Sequence, residues 1–300
     1  MSRPHRGNPG IRLVGAFRVY DLLSIGFLML VAILLLATRS RFADWYTHTI
    51  CHLVLSTLIV ATVMASQRFP NKILRFVRDV YPFALFGFLF DEMENFTHLI
   101  FPEWLNHLLI DADHFIFGAH PTVWLERLIS PPLTEFLEVI YMSYYLLLPV
   151  TGVLLYLFAN RKAFEGTLTI VSLAFYACFL GYILLPAEGP WTTLAHLQTV
   201  DMDASLARQA VAAIQQRGGI VGGCFPSAHV GVVFALLASL FLFYRKLFYP
   251  FTVYSILLAF ATVYGRYHYA IDALAGMVVG LGAGIIMARN RAFSDSLNHE

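Results

Sequence analysis

Apolar residues gather into eight runs of roughly the twenty residues that a helix needs to cross a bilayer, with short polar breaks between them. The runs cover 20–38, 46–66, 77–97, 133–158, 163–185, 227–244, 247–264 and 268–288. Their length predicts helices rather than strands. The third departs from the rest: its apolar core, Tyr81 to Phe90, is short and leads straight into Asp91, Glu92 and Glu94. That suits a re-entrant segment or a helix ending in a polar cavity. The fourth places Glu135, Glu138, Tyr141 and Tyr145 at helical spacing on one side of an otherwise apolar helix. These seven polar residues are candidates for the lining of a head-group cavity; the alternative is that they face water or pair with one another. The expected fold is an all-α, polytopic transmembrane helical bundle of about eight spans, a single membrane domain over residues 1–300.

Charge gives this bundle an orientation. Arg3, Arg6, Arg12 and Arg18 precede the first run, Arg68, Lys72, Arg75 and Arg78 lie between the second and third, and Arg161, Lys162, Arg245, Lys246, Arg289 and Arg291 fall on the same side. The other side receives Arg39, Arg41, Arg127, Arg208, Arg217 and Arg266. By the positive-inside rule the richer side is cytoplasmic and carries both termini, segment 1–19 and tail 289–300. The long connections 98–132 and 186–226 then lie outside, the first suggesting interfacial helices and the second an amphipathic helix from Thr199 to Arg217. Residues 22–37 imitate a signal peptide, but Arg39 and Arg41 follow and no small-x-small site is evident, so they read as a retained span.

Composition agrees: 58% of the 300 residues are hydrophobic and 13% charged, and the mean hydropathy is +0.67. A net charge of +1 without a long basic run excludes nucleic acid as a partner. Cys51, Cys178 and Cys224 form no paired motif and predict no disulfide framework. His48 and His52 stand four apart, but one such pair cannot complete a metal site, so no metal and no cofactor are expected.

Two polar interruptions carry the candidate chemistry. Phe225-Pro226-Ser227-Ala228-His229 follows a loop with Gly218, Gly219, Gly222 and Gly223 and opens an apolar run, with Pro226 suited to the first helical position. Ser227 and His229 would sit at a helix N-terminus, where unpaired N–H groups favour an anion. The second interruption is Tyr264-Gly265-Arg266-Tyr267-His268-Tyr269-Ala270-Ile271-Asp272. A helix starting near His268 puts Asp272 on the same face, able to hold one ring nitrogen and leave the other as nucleophile or base. Arg266 can bind phosphate through a bidentate fork.

These two stretches resemble the type 2 phosphatidic acid phosphatase superfamily, whose signature is a lysine and arginine motif, then PSGH, then R…H-x-x-x-D. Pro226-Ser227-Ala228-His229 is similar to the second motif, and Arg266, His268 and Asp272 to the third with a shortened gap. That variant, together with Phe117-Gly118-Ala119-His120-Pro121 and Pro132-Leu133-Thr134-Glu135, resembles the branch containing inositol phosphorylceramide synthases. The resemblance covers roughly residues 80–288. The first motif departs: Leu185-Pro186-Ala187-Glu188-Gly189-Pro190-Trp191 offers no cation. Either Arg266 and the helix terminus carry the neutralisation, or the substrate is a phosphodiester.

The resemblance implies a lipid phosphotransferase or phosphatase in which His268 forms a phosphohistidine, Asp272 fixes its tautomer, and His229 protonates the leaving alkoxide. Ser227, Arg266 and backbone N–H groups, that of Ala228 among them, would hold the phosphate oxygens. The partners expected are a lipid phosphoester and the bilayer. Head-group transfer to an alcohol is favoured over hydrolysis of phosphatidate or a polyprenyl diphosphate because the first motif lacks its cations. The rival from another class is a transporter, marked by intramembrane carboxylates such as Asp91 and Glu94.

Overall fold

The computed structural model describes residues 16–69, 71–202 and 205–297. Arg3, Arg6 and Arg12 of the orientation argument, and the end of the tail, lie outside the described residues. All regular structure among the described residues is helical, beside one isolated bridge between Ala187 and Gly223. The long helices are α1 (Val19–Ala37), α2 (Trp45–Arg68), α3 (Lys72–Phe96), α4 (Asn106–Phe117), α5 (Pro131–Phe158), α6 (Arg161–Leu184), α7 (Leu206–Gly218), α8 (Ala228–Phe243), α9 (Arg245–Tyr264) and α10 (Ala270–Leu297).

A helix stands at every one of the eight apolar runs, and α4 and α7 occupy the two long connections. Six of them, α1, α2, α5, α6, α9 and α10, are long and apolar enough to cross a membrane, and the protein is multi-pass. The α8 helix is apolar but has 16 residues. The α3 helix carries Arg75, Arg78 and Asp79 near its start and Asp91, Glu92 and Glu94 near its end, which lowers its hydropathy.

The chain forms two compact units, Met1–Leu85 and Phe86–Glu300. In the first, α1 packs on α2. A buried polar cluster forms there: Arg78 meets Asp21 at 2.7 Å, Arg18 meets Asp79 at 2.6 Å, and the Tyr81 hydroxyl donates to Asp21 at 2.9 Å. Sequence reasoning gave Arg18 and Arg78 only a topological role. The structure corrects this, because a charge removed from water needs a partner of opposite sign.

In the second unit α6 packs on α8 and α10, α9 joins α8 and α5, and α7 lies on α5. The α8 and α10 helices approach each other closely, and glycines permit it. A Cβ at Gly280 would lie 2.2 Å from the Gly231 carbonyl oxygen, and one at Gly276 would lie 2.4 Å from that of Ser227. No side chain fits at those distances, so the two backbones touch directly, as in small-residue helix pairs within membranes. The consequence is positional: α8 starts next to His229 and α10 next to His268, so the glycine seam brings the two polar interruptions together.

Candidate active site

The α8 helix begins at Ala228 with Ser227 as its N-cap, whose Oγ accepts from the Val230 N–H at 3.4 Å. Pro226 therefore precedes the cap instead of opening the first turn, because the serine supplies the capping oxygen that proline lacks. Ser227 is fully buried, and its own N–H donates to the Asp272 carbonyl oxygen at 3.1 Å. The Ala228 N–H donates to the Tyr182 hydroxyl at 3.3 Å.

His268 lies in the turn between α9 and α10, with its N–H and that of Tyr267 both bonded to the Thr262 carbonyl oxygen. The His268 ring is fixed from one side. Its Nδ1 stands 3.0 Å from the Cys224 carbonyl oxygen and 3.5 Å from Asp272 Oδ2. A carbonyl oxygen can only accept, so Nδ1 carries the proton and Nε2 keeps its lone pair. Asp272, fully buried, also accepts from the Cys224 thiol at 2.8 Å and from the Tyr269 N–H at 2.9 Å. The expected i, i+4 relation between His268 and Asp272 holds. The shorter bond to the ring comes from Cys224, which the sequence had not singled out.

Burial first, and then the Asp272 carboxylate, push the Cys224 thiol well above the usual thiol range, so it stays a donor. The ligand atoms of Cys224, His268 and Asp272 lie within 4.8 Å of one another, a spacing compatible with a metal ion. The hydrogen bonds just described spend those atoms on each other, and binding a metal would require the thiol proton to leave.

His229 faces His268 with ring centroids 5.7 Å apart at 61°. Three tyrosines of α5 surround it. Tyr141 stacks on it at 5.0 Å and brings its hydroxyl to 3.3 Å from Nε2, Tyr144 lies at 4.4 Å, and Tyr145 meets it edge-on at 6.2 Å. Tyr141 also stacks on Tyr267 at 4.0 Å and accepts a bond from Gln215 of α7 at 3.4 Å. Tyr144 and Tyr267 were legible only as aromatic neighbours of polar positions.

The remaining candidates separate. Glu138, almost fully buried, accepts from the Tyr267 hydroxyl at 2.6 Å and from Arg208 at 3.1 Å, while the Arg208 guanidinium lies 4.8 Å over the Tyr267 ring. Glu135 instead accepts from Ser205 Oγ at 2.6 Å and the Ala207 N–H at 3.2 Å, tying α5 to the start of α7. Arg266 has a φ of +67° and gives Nη2 to Glu126 Oε1 and to the Val200 carbonyl oxygen, both at 2.7 Å. On α3, Asp91 and Glu94 are exposed and Glu92 is half-buried. None of the contacts just described for the two histidines reaches these three.

The segment 185–191 does lie beside the site. The Trp191 N–H donates to the Arg266 carbonyl oxygen at 3.1 Å, and Glu188 is paired with Asn106 at 3.0 Å. The two histidine rings thus meet edge to face, one with a fixed tautomer and a carboxylate behind it. A family model, the PAP2 superfamily, matches residues 92–286, more than half of the chain. The chain belongs to the PAP2 superfamily. No curated protein and no solved structure matches it closely enough to add to this. Membership in the PAP2 superfamily makes the protein a membrane enzyme acting on phosphoesters.

Proposed function

We propose that this PAP2 enzyme is a lipid phosphotransferase of the inositol phosphorylceramide synthase kind. It spans the membrane eight times with both termini cytoplasmic, and its site opens on the extracytoplasmic face. His268 Nε2 attacks phosphorus, the bond to the leaving alkoxide breaks, and His229 gives that oxygen its proton. An alcohol then attacks the phosphohistidine and returns a proton to His229. Asp272 stabilises the charged ring. Ser227, Ala228 and Arg266 serve the phosphate oxygens, Arg266 by exchanging its Glu126 bond for one to phosphate. The observation that carries this reading is the His268 ring, held through Nδ1 by the Cys224 carbonyl and facing His229 at 5.7 Å.

Transfer of a phosphodiester head group is favoured by charge. Arg266 is matched by Glu126 and Arg208 by Glu138, and the segment 185–191 beside the site brings no cation. A surrounding so nearly neutral suits a singly charged phosphodiester better than a doubly charged phosphomonoester. The test is turnover by purified protein of labelled phosphatidylinositol with ceramide, and of labelled phosphatidate alone. Expected are a labelled transfer product, loss of turnover in His268→Ala, and slowing by orders of magnitude in Asp272→Asn. Free phosphate without transfer product rejects the transferase reading, and undiminished activity of His268→Ala rejects the mechanism.

A further inference from the structure

The nucleophile's helix has a second carboxylate at its head. Asp113 belongs to α4, far from α10 in sequence, and is 1% exposed. Its Oδ2 accepts from the Ala270 N–H at 3.0 Å and its Oδ1 from the Ile271 N–H at 2.8 Å. Asp272 Oδ2 takes the N–H of the preceding residue, Tyr269. Three successive donors at the start of α10, immediately after His268, are thus held by two buried side chains. Leu109, one turn before Asp113, joins Cys224 and Tyr269 in a single apolar cluster, with Ile271 packed on it. The next residues of α4, Phe115, Ile116 and Phe117, are exposed. The attachment of α4 to the catalytic turn therefore runs through Leu109 and Asp113.

We infer that Asp113 is a positioning residue for His268: it clamps the first turn of α10 and thereby holds the imidazole against the Cys224 carbonyl and opposite His229. The inference rests on His268 being the nucleophile. The Asp113 carboxylate thus occupies the α10 N-terminus, where an anion would otherwise be favoured. The titratable groups that face Asp113 are Asp272 on α10 and, on the segments leading to α8 and α10, Cys224 and Tyr269. Burial pushes the Asp113 carboxyl up to about 6, against the two backbone N–H bonds that lower it.

The sign of this shift separates a positioning role from a merely structural one. A carboxyl whose folded-state value is raised above the unfolded one favours the fold while protonated, so its stability contribution is full below the unfolded value and is lost as pH rises toward about 6. Its ionised form is the better acceptor for two N–H groups, so turnover rises over the same interval. Stability and activity move in opposite directions across the Asp113 titration.

The experiment compares full-length wild type, Asp113→Asn and His268→Ala in vesicles containing labelled phosphatidylinositol or phosphatidate, whichever turns over. Melting temperature is followed alongside from pH 4.5 to 7.5. For Asp113→Asn a roughly ten- to hundredfold fall in kcat is expected, with KM nearly unchanged, as for a small misplacement of a reacting group. The rise of kcat toward about pH 6 expected of wild type should also disappear. Should the variant fail to fold, Leu109→Ala, which loosens the same attachment of α4 without touching the carboxylate, is measured in its place, and unchanged kcat per folded molecule there overturns the inference. Unchanged kcat per folded molecule overturns the inference, as does a fall in kcat that leaves the pH profile intact. Turnover by His268→Ala overturns the nucleophile assignment instead, whatever Asp113→Asn does.

Discussion

Replacing Gly276 by alanine tests whether the seam between α8 and α10 sets the geometry of the two histidines. The added Cβ would lie 2.4 Å from the Ser227 carbonyl oxygen and 3.1 Å from the Gly231 nitrogen, both backbone atoms that cannot rotate away. Ordinary contact begins near 3.4 Å, so the helices must separate by ~1 Å at the level of Ser227. That shift strains the bond from the Ser227 N–H to the Asp272 carbonyl oxygen, now 3.1 Å, and carries His229 away from His268. Overpacking of this kind costs ~1–3 kcal/mol of stability. A displacement of ~1 Å between reacting groups costs roughly a hundredfold in rate. The assay is turnover of the lipid phosphoester beside a thermal melt, with Gly282→Ala as control, since a Cβ there meets nothing within 4 Å. If Gly276→Ala keeps kcat/KM within about threefold of wild type while Gly282→Ala behaves the same way, the seam does not set the spacing and the reasoning fails.

Two further outcomes follow from the site. Tyr141→Phe keeps both ring stacks and removes only the hydroxyl that meets His229 and Gln215; loss of bonds worth ~1 kcal/mol should lower kcat/KM by roughly fivefold without unfolding the protein, as steady-state kinetics will show. Maleimide at pH 7.5 should leave Cys224 unmodified in the folded protein, because the thiol is buried and its ionisation is pushed up by burial and then by Asp272; peptide mass spectrometry showing rapid labelling would contradict the thiol's place behind His268.

The two helix starts were legible because each combines a rare polar pattern with an apolar run. Ser227 and His229 mark one, His268 and Asp272 the other, and their separation of four anticipated the carboxylate near the ring although His268 stands in the turn before α10. The head-group candidates fared unevenly for a physical reason: spacing along one helix gives a face but not its neighbour. Glu135 and Glu138 share a face of α5, yet one ties down α7 and the other meets Tyr267. Asp91, Glu92 and Glu94 stand near the end of α3, two of them exposed, and run length alone could not say what they face.

What the sequence by itself determined is the apolar run length that makes helices in a bilayer, and the residues that interrupt those runs with chemistry. What only the tertiary structure decided is who stands beside them. The carbonyl of Cys224 holds His268, Asp113 from a distant helix clamps its first turn, and Tyr141 backs His229. These contacts join residues tens to more than a hundred positions apart, and a backbone carbonyl has no residue type to announce it. Periodicity reports which way a side chain points along its own helix. The glycine seam, through contact distances that only packed backbones define, decides what it points at.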